Sequence, residues 1–250
     1  MLAMALTKDI ETEGEVIMMK GNPLTATPTN PTELVEQAVL YPFYTKQPTE
    51  KMNRLFNKYK DIFKDKLGDS LISVNQMGSG AIPGMVGSPL QDIIVAIKNY
   101  PPTEEQMEVM KQLNFVLLKG GKAPHDPNDT WLCSTDFPPG EDFDEFKING
   151  KFPPEGHLGR VVIHLVQYSN PFVVRAQTYV EYLKSNEDAF KRYRDCKLEG
   201  ARLSQSDASE TTDAFIKYKI HKRVVVNELL TEALQWKERN GIQFQEELIQ

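Results

Sequence analysis

The chain has 250 residues, a formal net charge of −6, 40% apolar and 26% charged residues, the balance of a soluble globular protein with room for one large domain or a medium domain with appendages. No apolar run approaches the roughly 20 residues that cross a membrane, and Lys8, Asp9, Glu11, Glu13 and Glu15 interrupt any leader-like core. Residues 123–157 carry eight acids against Lys147 and Lys151, and residues 184–223 carry ten Lys/Arg against seven acids, a surplus that suits an anionic ligand but not the dense basic footprint of a duplex-DNA binder.

Residues 1–44 read as a weakly structured extension, with Asn22–Pro31 rich in turn formers. Glu15–Lys20 is a candidate edge strand and 33–40 a candidate short helix. From Pro48 the spacing of Met52, Leu55, Phe56, Tyr59, Ile62, Phe63 and Leu67 predicts a helix that Gly68 ends. Leu71–Met77 and Gln91–Lys98 read as strands. Thr103 and Gln106 form a capping-box pattern ahead of Met107, Met110 and Leu113. Phe115–Lys119 and Thr130–Cys133 are short strands, and the acidic, Pro/Gly-rich stretch 137–159 is a long loop. Arg160–Gln167 is a strong strand. Phe172–Lys184 reads as a helix, Ser185 as the cap of a second, and residues 207–239 as a third with Phe215, Tyr218, Val225, Leu229 and Ala233 on one face. The order gives an α+β core over 45–170, a helical cap over 171–240 and a tail over 241–250.

The chemistry concentrates after the first strand. Met77-Gly-Ser-Gly-Ala-Ile-Pro-Gly-Met85 is a glycine-serine turn, and Asp92 opens a β-branched run thirteen residues after Ser79. Glycines at 78, 80 and 84 let backbone amides approach a phosphate, Ser79 adds a hydroxyl donor, and a carboxylate on the next strand suits the magnesium that accompanies phosphate. The plainer reading is a flexible turn with Asp92 hydrogen-bonded to it. His164 lies mid-strand, on the same face as Val162 and Val166. It is either a core histidine or a general base near neutral pH. Tyr193 with Lys197, and Tyr218 with Lys222, are spaced i,i+4 and so share helix faces. A lysine there either neutralises phosphate beside a stacking tyrosine or snorkels over it. Arg192, Arg194 and Arg223 are expected to face solvent.

Other chemistries lack their signatures. His125, His157 and His221 form no zinc spacing, Gly120-Gly-Lys122 is not a P-loop, and no GxSxG elbow supports a Ser79–His164–Asp92 triad. Cys133 and Cys196 lie in different elements and read as reduced thiols of a cytoplasmic protein.

The Gly78–Gly84 turn with Pro89–Val95 resembles the GSTAVPG-like turn and KPIIDI-like strand of the GrpB family, within the nucleotidyltransferase-fold proteins. The strand around His164 is similar to that family's HLHV-like strand, and Tyr179–Lys184 falls on its FRDYLR-like helix, with Val162, Val180 and Glu181 replacing the first histidine, the arginine and the aspartate. The two Y-x3-K pairs also match the family pattern. The resemblance covers residues 45–240. It implies a nucleotidyltransferase-like mixed sheet with a C-terminal helical bundle, and an association with nucleotide or coenzyme metabolism, since such domains occur fused to dephospho-CoA kinase.

As an enzyme, such a protein would bind a nucleoside triphosphate, ATP first, with Mg²⁺ and transfer a nucleotidyl group to a small-molecule or protein acceptor. Asp92 would hold the metal and His164 would act as base. Gly78, Ser79, Gly80, Lys184, Tyr193, Lys197, Tyr218 and Lys222 would bind the nucleotide. The strand departs from that pattern at Ile94, where a catalytic member has its second carboxylate. The other expectation is a non-catalytic nucleotide- or anion-binding or assembly module on the same fold.

Overall fold

In a computed structural model, residues 49–87, 90–113, 115–117, 131–135, 160–206 and 211–244 are described. The expected strand at 15–20, helix at 33–40 and acidic loop at 137–159 lie outside them. The apolar stripe of the first helix forms α1 (Thr49–Leu67), with Met52, Leu55, Tyr59, Phe63 and Leu67 buried, and Gly68 ends it at φ +50°. Strand β1 (Leu71–Met77) follows, then β2 (Leu90–Ile97). Helix α2 (Glu104–Gln112) starts on the full capping box. Thr103 Oγ1 accepts from the Gln106 amide at 3.2 Å, and Gln106 Oε1 accepts from the Thr103 amide at 2.8 Å. Short strands β3 (Val116–Leu117) and β4 (Trp131–Thr135) fall on the expected 115–119 and 130–133, of which 118, 119 and 130 lie outside the described residues, and β5 spans Arg160–Gln167.

The five strands form one mixed sheet in the order β1-β2-β5-β4-β3, with β2 and β5 parallel and the other pairs antiparallel. Its middle is the β2–β5 pair, and both strands are near-continuous β-branched runs because both faces are covered. Val74, Ile93, Val95, Ile97, Val161, Ile163 and Leu165 pack on α1 and α2. The alternate residues Ile94, Ala96 and Val166 face the other way, onto the C-terminal helices. Each fully buried Ile, Val or Leu is worth about 1.5–3 kcal/mol relative to exposure, so this alternation fixes which side chains point at the bundle.

The bundle consists of α3 (Pro171–Ser185), α4 (Glu187–Ser206) and α5 (Thr211–Arg239). Asn170 caps α3, its Oδ1 accepting from the Phe172 amide at 2.8 Å, with Pro171 at the first helical position. Ser185 does not cap α4 as expected. It closes α3, and Asn186 is the cap, its Oδ1 accepting from the Ala189 amide at 3.0 Å. The last helix is described from Thr211 to Arg239, and residues 207–210 of the expected span lie outside the described residues. The result is the α+β class with a mixed sheet and a C-terminal helical bundle. Among the described residues no helix is long and apolar enough to cross a membrane.

Candidate functional site

The parallel register sets Asp92 opposite Val162 and Ile94 opposite His164. Asp92 and His164 therefore occupy neighbouring strands on the bundle-facing side, one step apart along the diagonal. Both are buried, and His164 Nε2 lies 3.3 Å from Asp92 Oδ1. The carboxylate oxygen only accepts, so Nε2 carries the hydrogen that faces it. The imidazole rests against the Phe172 ring at 5.5 Å between centroids. Its Nδ1 is buried and has no hydrogen-bond partner among the described residues.

The glycine-serine turn backs onto the same carboxylate. Gly78 adopts φ +67°, ψ −165°, and a Cβ there would lie 2.8 Å from Asp92 Oδ2. Only glycine meets both conditions. The next residues form a 3₁₀ turn, Ser79–Ala81, in which the Ala81 amide donates to Gly78 O at 3.3 Å and the Ile82 amide to Ser79 O at 3.1 Å. The Ala81 and Ile82 amides are thus closed into the turn. Gly84 also has a positive φ, +75°, whereas Gly80 does not. Ala81, Ile82 and Met85 pack into the bundle core beside Tyr182, Leu183, Tyr193 and Leu229, which ties the turn to the helices.

The bundle contributes two buried cations. Helices α4 and α5 approach closely at Gly200, where a Cβ would lie 2.9 Å from Tyr218 Cδ2. Lys197 on α4 is 4% exposed and Lys222 on α5 is 9% exposed. Their ammoniums lie 4.9 and 5.5 Å from the ring centroids of Tyr193 and Tyr218, the cation–π geometry that the i,i+4 spacing allows. Among the described residues neither ammonium has a carboxylate within ion-pair distance. Burial, then the neighbouring Lys222 charge, holds Lys197 well below the usual lysine range, and Asp92 pulls against them. Burial lowers Lys222 to about 8, again opposed by Asp92. Burial pushes the Tyr193 and Tyr218 phenols up. The sheet carboxylate and both bundle ammoniums therefore share one low-dielectric region.

Of the residues expected at a site, Gly78, Asp92 and His164 meet at the sheet end of this region, and Tyr193, Lys197, Tyr218 and Lys222 line its helical side. Lys184 does not join them: it is exposed and paired with Glu181 on its own helix at 2.9 Å. Glu181 therefore offers Asp92 no second carboxylate. Arg192 is exposed as expected and bridges to Glu232 and Glu228 on α5 at 2.7 and 3.2 Å. Three participants carried no usable signal in the sequence. Gly200 looks like any helical glycine. Cys196, a free buried thiol whose Sγ donates to His221 O at 3.8 Å, had no visible partner. Buried Gln91 donates through Nε2 to Asp92 O at 3.2 Å.

These residues do not fit magnesium. A magnesium site wants several hard oxygens in an octahedron, usually with one or two carboxylates. Here one carboxylate is present, Asp92, and its Oδ1 already faces His164 Nε2. The i+2 position is the buried Ile94, and no group of three acidic, His or Cys side chains suited to a metal occurs among the described residues. Two ammoniums nearby oppose any further positive charge.

A family model described as GrpB protein matches residues 45–232. Among curated proteins, the "Glutamate-rich protein GrpB" of Alkalihalophilus pseudofirmus is 23% identical over 185 residues, 74% of this chain and 91% of that protein. "UPF0157 protein YqkA" of Bacillus subtilis is 22% identical over 190 residues; the match takes in 75% of this chain but 46% of that protein's length. The crystal structure of conserved protein GrpB from Enterococcus faecalis matches with a TM-score of 0.51 at 16% identity, covering 74% of this chain and 93% of that one. At that identity the likeness speaks for the fold.

Proposed function

The chain belongs to the GrpB family, and from that premise we propose that it binds a phosphate-bearing anion, a nucleotide in the first instance, where the sheet meets the helical bundle. Lys197 and Lys222 meet the phosphate charge. Tyr193 and Tyr218 frame the ammoniums, and the Asp92–His164 pair forms a fixed polar floor. The observation that carries this reading is the pair of buried ammoniums with no carboxylate partner among the described residues. Burying an unpaired charge costs several kcal/mol, and an anionic ligand is the group that offsets it. The lysines stand at the matching positions of the family pattern, which adds support from the sequence side.

A second reading, transfer of the nucleotidyl group to an acceptor, draws on one specific contact. A carboxylate that orients an imidazole, leaving Nδ1 without a protein partner, is the arrangement of a general base. Ile94 and the cationic surroundings weigh toward binding without transfer.

The two readings separate in one experiment. Thermal shifts with ATP, CTP, GTP and UTP are measured on the wild type, Lys197→Met and Asp92→Asn. A ligand at a hundred times its dissociation constant adds about 2.7 kcal/mol to the native state. Binding predicts a shift for at least one nucleotide that Lys197→Met abolishes. Transfer predicts in addition that Asp92→Asn leaves the shift and removes turnover. No shift with any nucleotide, in folded wild type, refutes both.

A further inference from the structure

Resting on the anion reading above, we infer that the site takes its phosphate-bearing ligand bare of magnesium, with the Lys197 and Lys222 ammoniums supplying the two positive charges that the metal ordinarily brings. The argument is one of charge and packing. A phosphate chain in water is usually neutralised by a divalent cation, and a protein that binds the chelate provides carboxylates to hold that cation. This region provides the opposite. Among the described residues Asp92 is the one carboxylate that faces the two lysines, and its Oδ1 already lies 3.3 Å from His164 Nε2. The position that would carry a second acid is Ile94, fully buried. Across from it, two lysines on different helices are each more than nine-tenths buried, and among the described residues neither finds a carboxylate within ion-pair distance. Two ammoniums match a terminal phosphate dianion. A magnesium chelate arrives with part of its negative charge already offset and would set the dication against them.

The same geometry couples binding to protons. Without an anion, burial drives both amines toward the neutral form. The groups facing them are Asp92 from β2, Tyr193 and Cys196 from α4, and Tyr218 from α5. Of these only Asp92 is a carboxylate. An anion seated between the amines holds them protonated, so binding takes up protons and weakens as pH rises above about 8.

The test is calorimetric titration of the whole chain with ATP, once in EDTA and once with saturating magnesium chloride, each in two buffers of different ionisation enthalpy. The expected result is at least ten-fold tighter binding in EDTA, with net proton uptake, and no thermal shift from magnesium chloride alone. Inorganic phosphate in EDTA should compete. Tighter binding with magnesium, or a shift from magnesium alone that Asp92→Asn removes, overturns the inference and leaves the anion reading standing. No ATP or phosphate binding under either condition overturns both. The decisive comparison is made on the wild type and so does not depend on whether a lysine variant folds.

Discussion

Gly78 leaves no room for a side chain beside Asp92: a β-carbon on the glycine would stand 2.8 Å from Asp92 Oδ2, at a backbone φ of +67° that side chains rarely adopt. Gly78→Ala therefore meets two penalties, backbone strain and displacement of the carboxylate. A loss of about 1–3 kcal/mol is expected, read as a lower urea midpoint. The two penalties are separable. In an Asp92→Ala background the steric part vanishes, so the alanine should cost less there. Equal costs in both backgrounds would show that the contact carries no energy.

Gly200 makes a prediction against propensity. An exposed helical glycine replaced by alanine normally gains about 0.5–1 kcal/mol. Here the new methyl would lie 2.9 Å from Tyr218 Cδ2 and 3.3 Å from His221 Cδ2, both ring atoms in the α4–α5 contact. Gly200→Ala should instead destabilise by about 1–3 kcal/mol through overpacking. It should also weaken nucleotide binding, because Tyr218 frames Lys222. A stabilised Gly200→Ala protein would mean the helices have slack at this crossing.

The lysines give the unliganded protein a pH signature. Lys222 is lowered from 10.5 to about 8, chiefly by burial. Between those values the unfolded chain binds more protons than the folded one, so stability rises with pH, by up to about 1.4 kcal/mol per pH unit for one proton. Below pH 8 the lysine is protonated in both states and the full penalty remains. Lys197 contributes with the same sign, while the Cys196 thiol, raised by burial, opposes it at alkaline pH. The clean readout is the difference in unfolding free energy between wild type and Lys222→Met from pH 7.5 to 10. The variant's advantage should shrink as pH rises; a constant difference would contradict the assignment.

Thr103→Ala serves as the contrast. It removes the side-chain half of the α2 cap and should cost about 1 kcal/mol. Helix α2 packs on the sheet face opposite the bundle, so nucleotide affinity should be unchanged when corrected for the folded fraction. A large affinity loss would indicate that the two faces are coupled.

How much of this was legible depended on whether a feature is local. The α2 capping box, the spans of β1 and β5, and the shared faces of Tyr193 with Lys197 and Tyr218 with Lys222 follow from spacing alone, because helix and strand periods act over a few residues. The cap of α4 was misread by one position. Ser185 and Asn186 are both good caps, and the choice depends on where α3 ends. The Asp92–His164 contact requires β2 to lie beside β5 in parallel, a pairing across 72 positions that no local pattern encodes. Lys184 was placed by motif register, yet its helix turns it to solvent beside Glu181. Gly200 could not be told from a tolerated helical glycine until the α4–α5 crossing was known.

The central claim is that Lys197 and Lys222 are cations kept buried for an anion that completes them. Urea unfolding of wild type and of the Lys197→Met Lys222→Met double variant, each with and without ATP in EDTA, tests it most directly. Without ligand the double variant should equal or exceed the wild type in stability, since apolar groups replace unpaired buried charges. With ATP at a hundred times its dissociation constant only the wild type should gain, by about 2.7 kcal/mol. An equal gain from ATP in both proteins, or a double variant that is less stable without ligand while ATP leaves the wild type unmoved, would contradict the account.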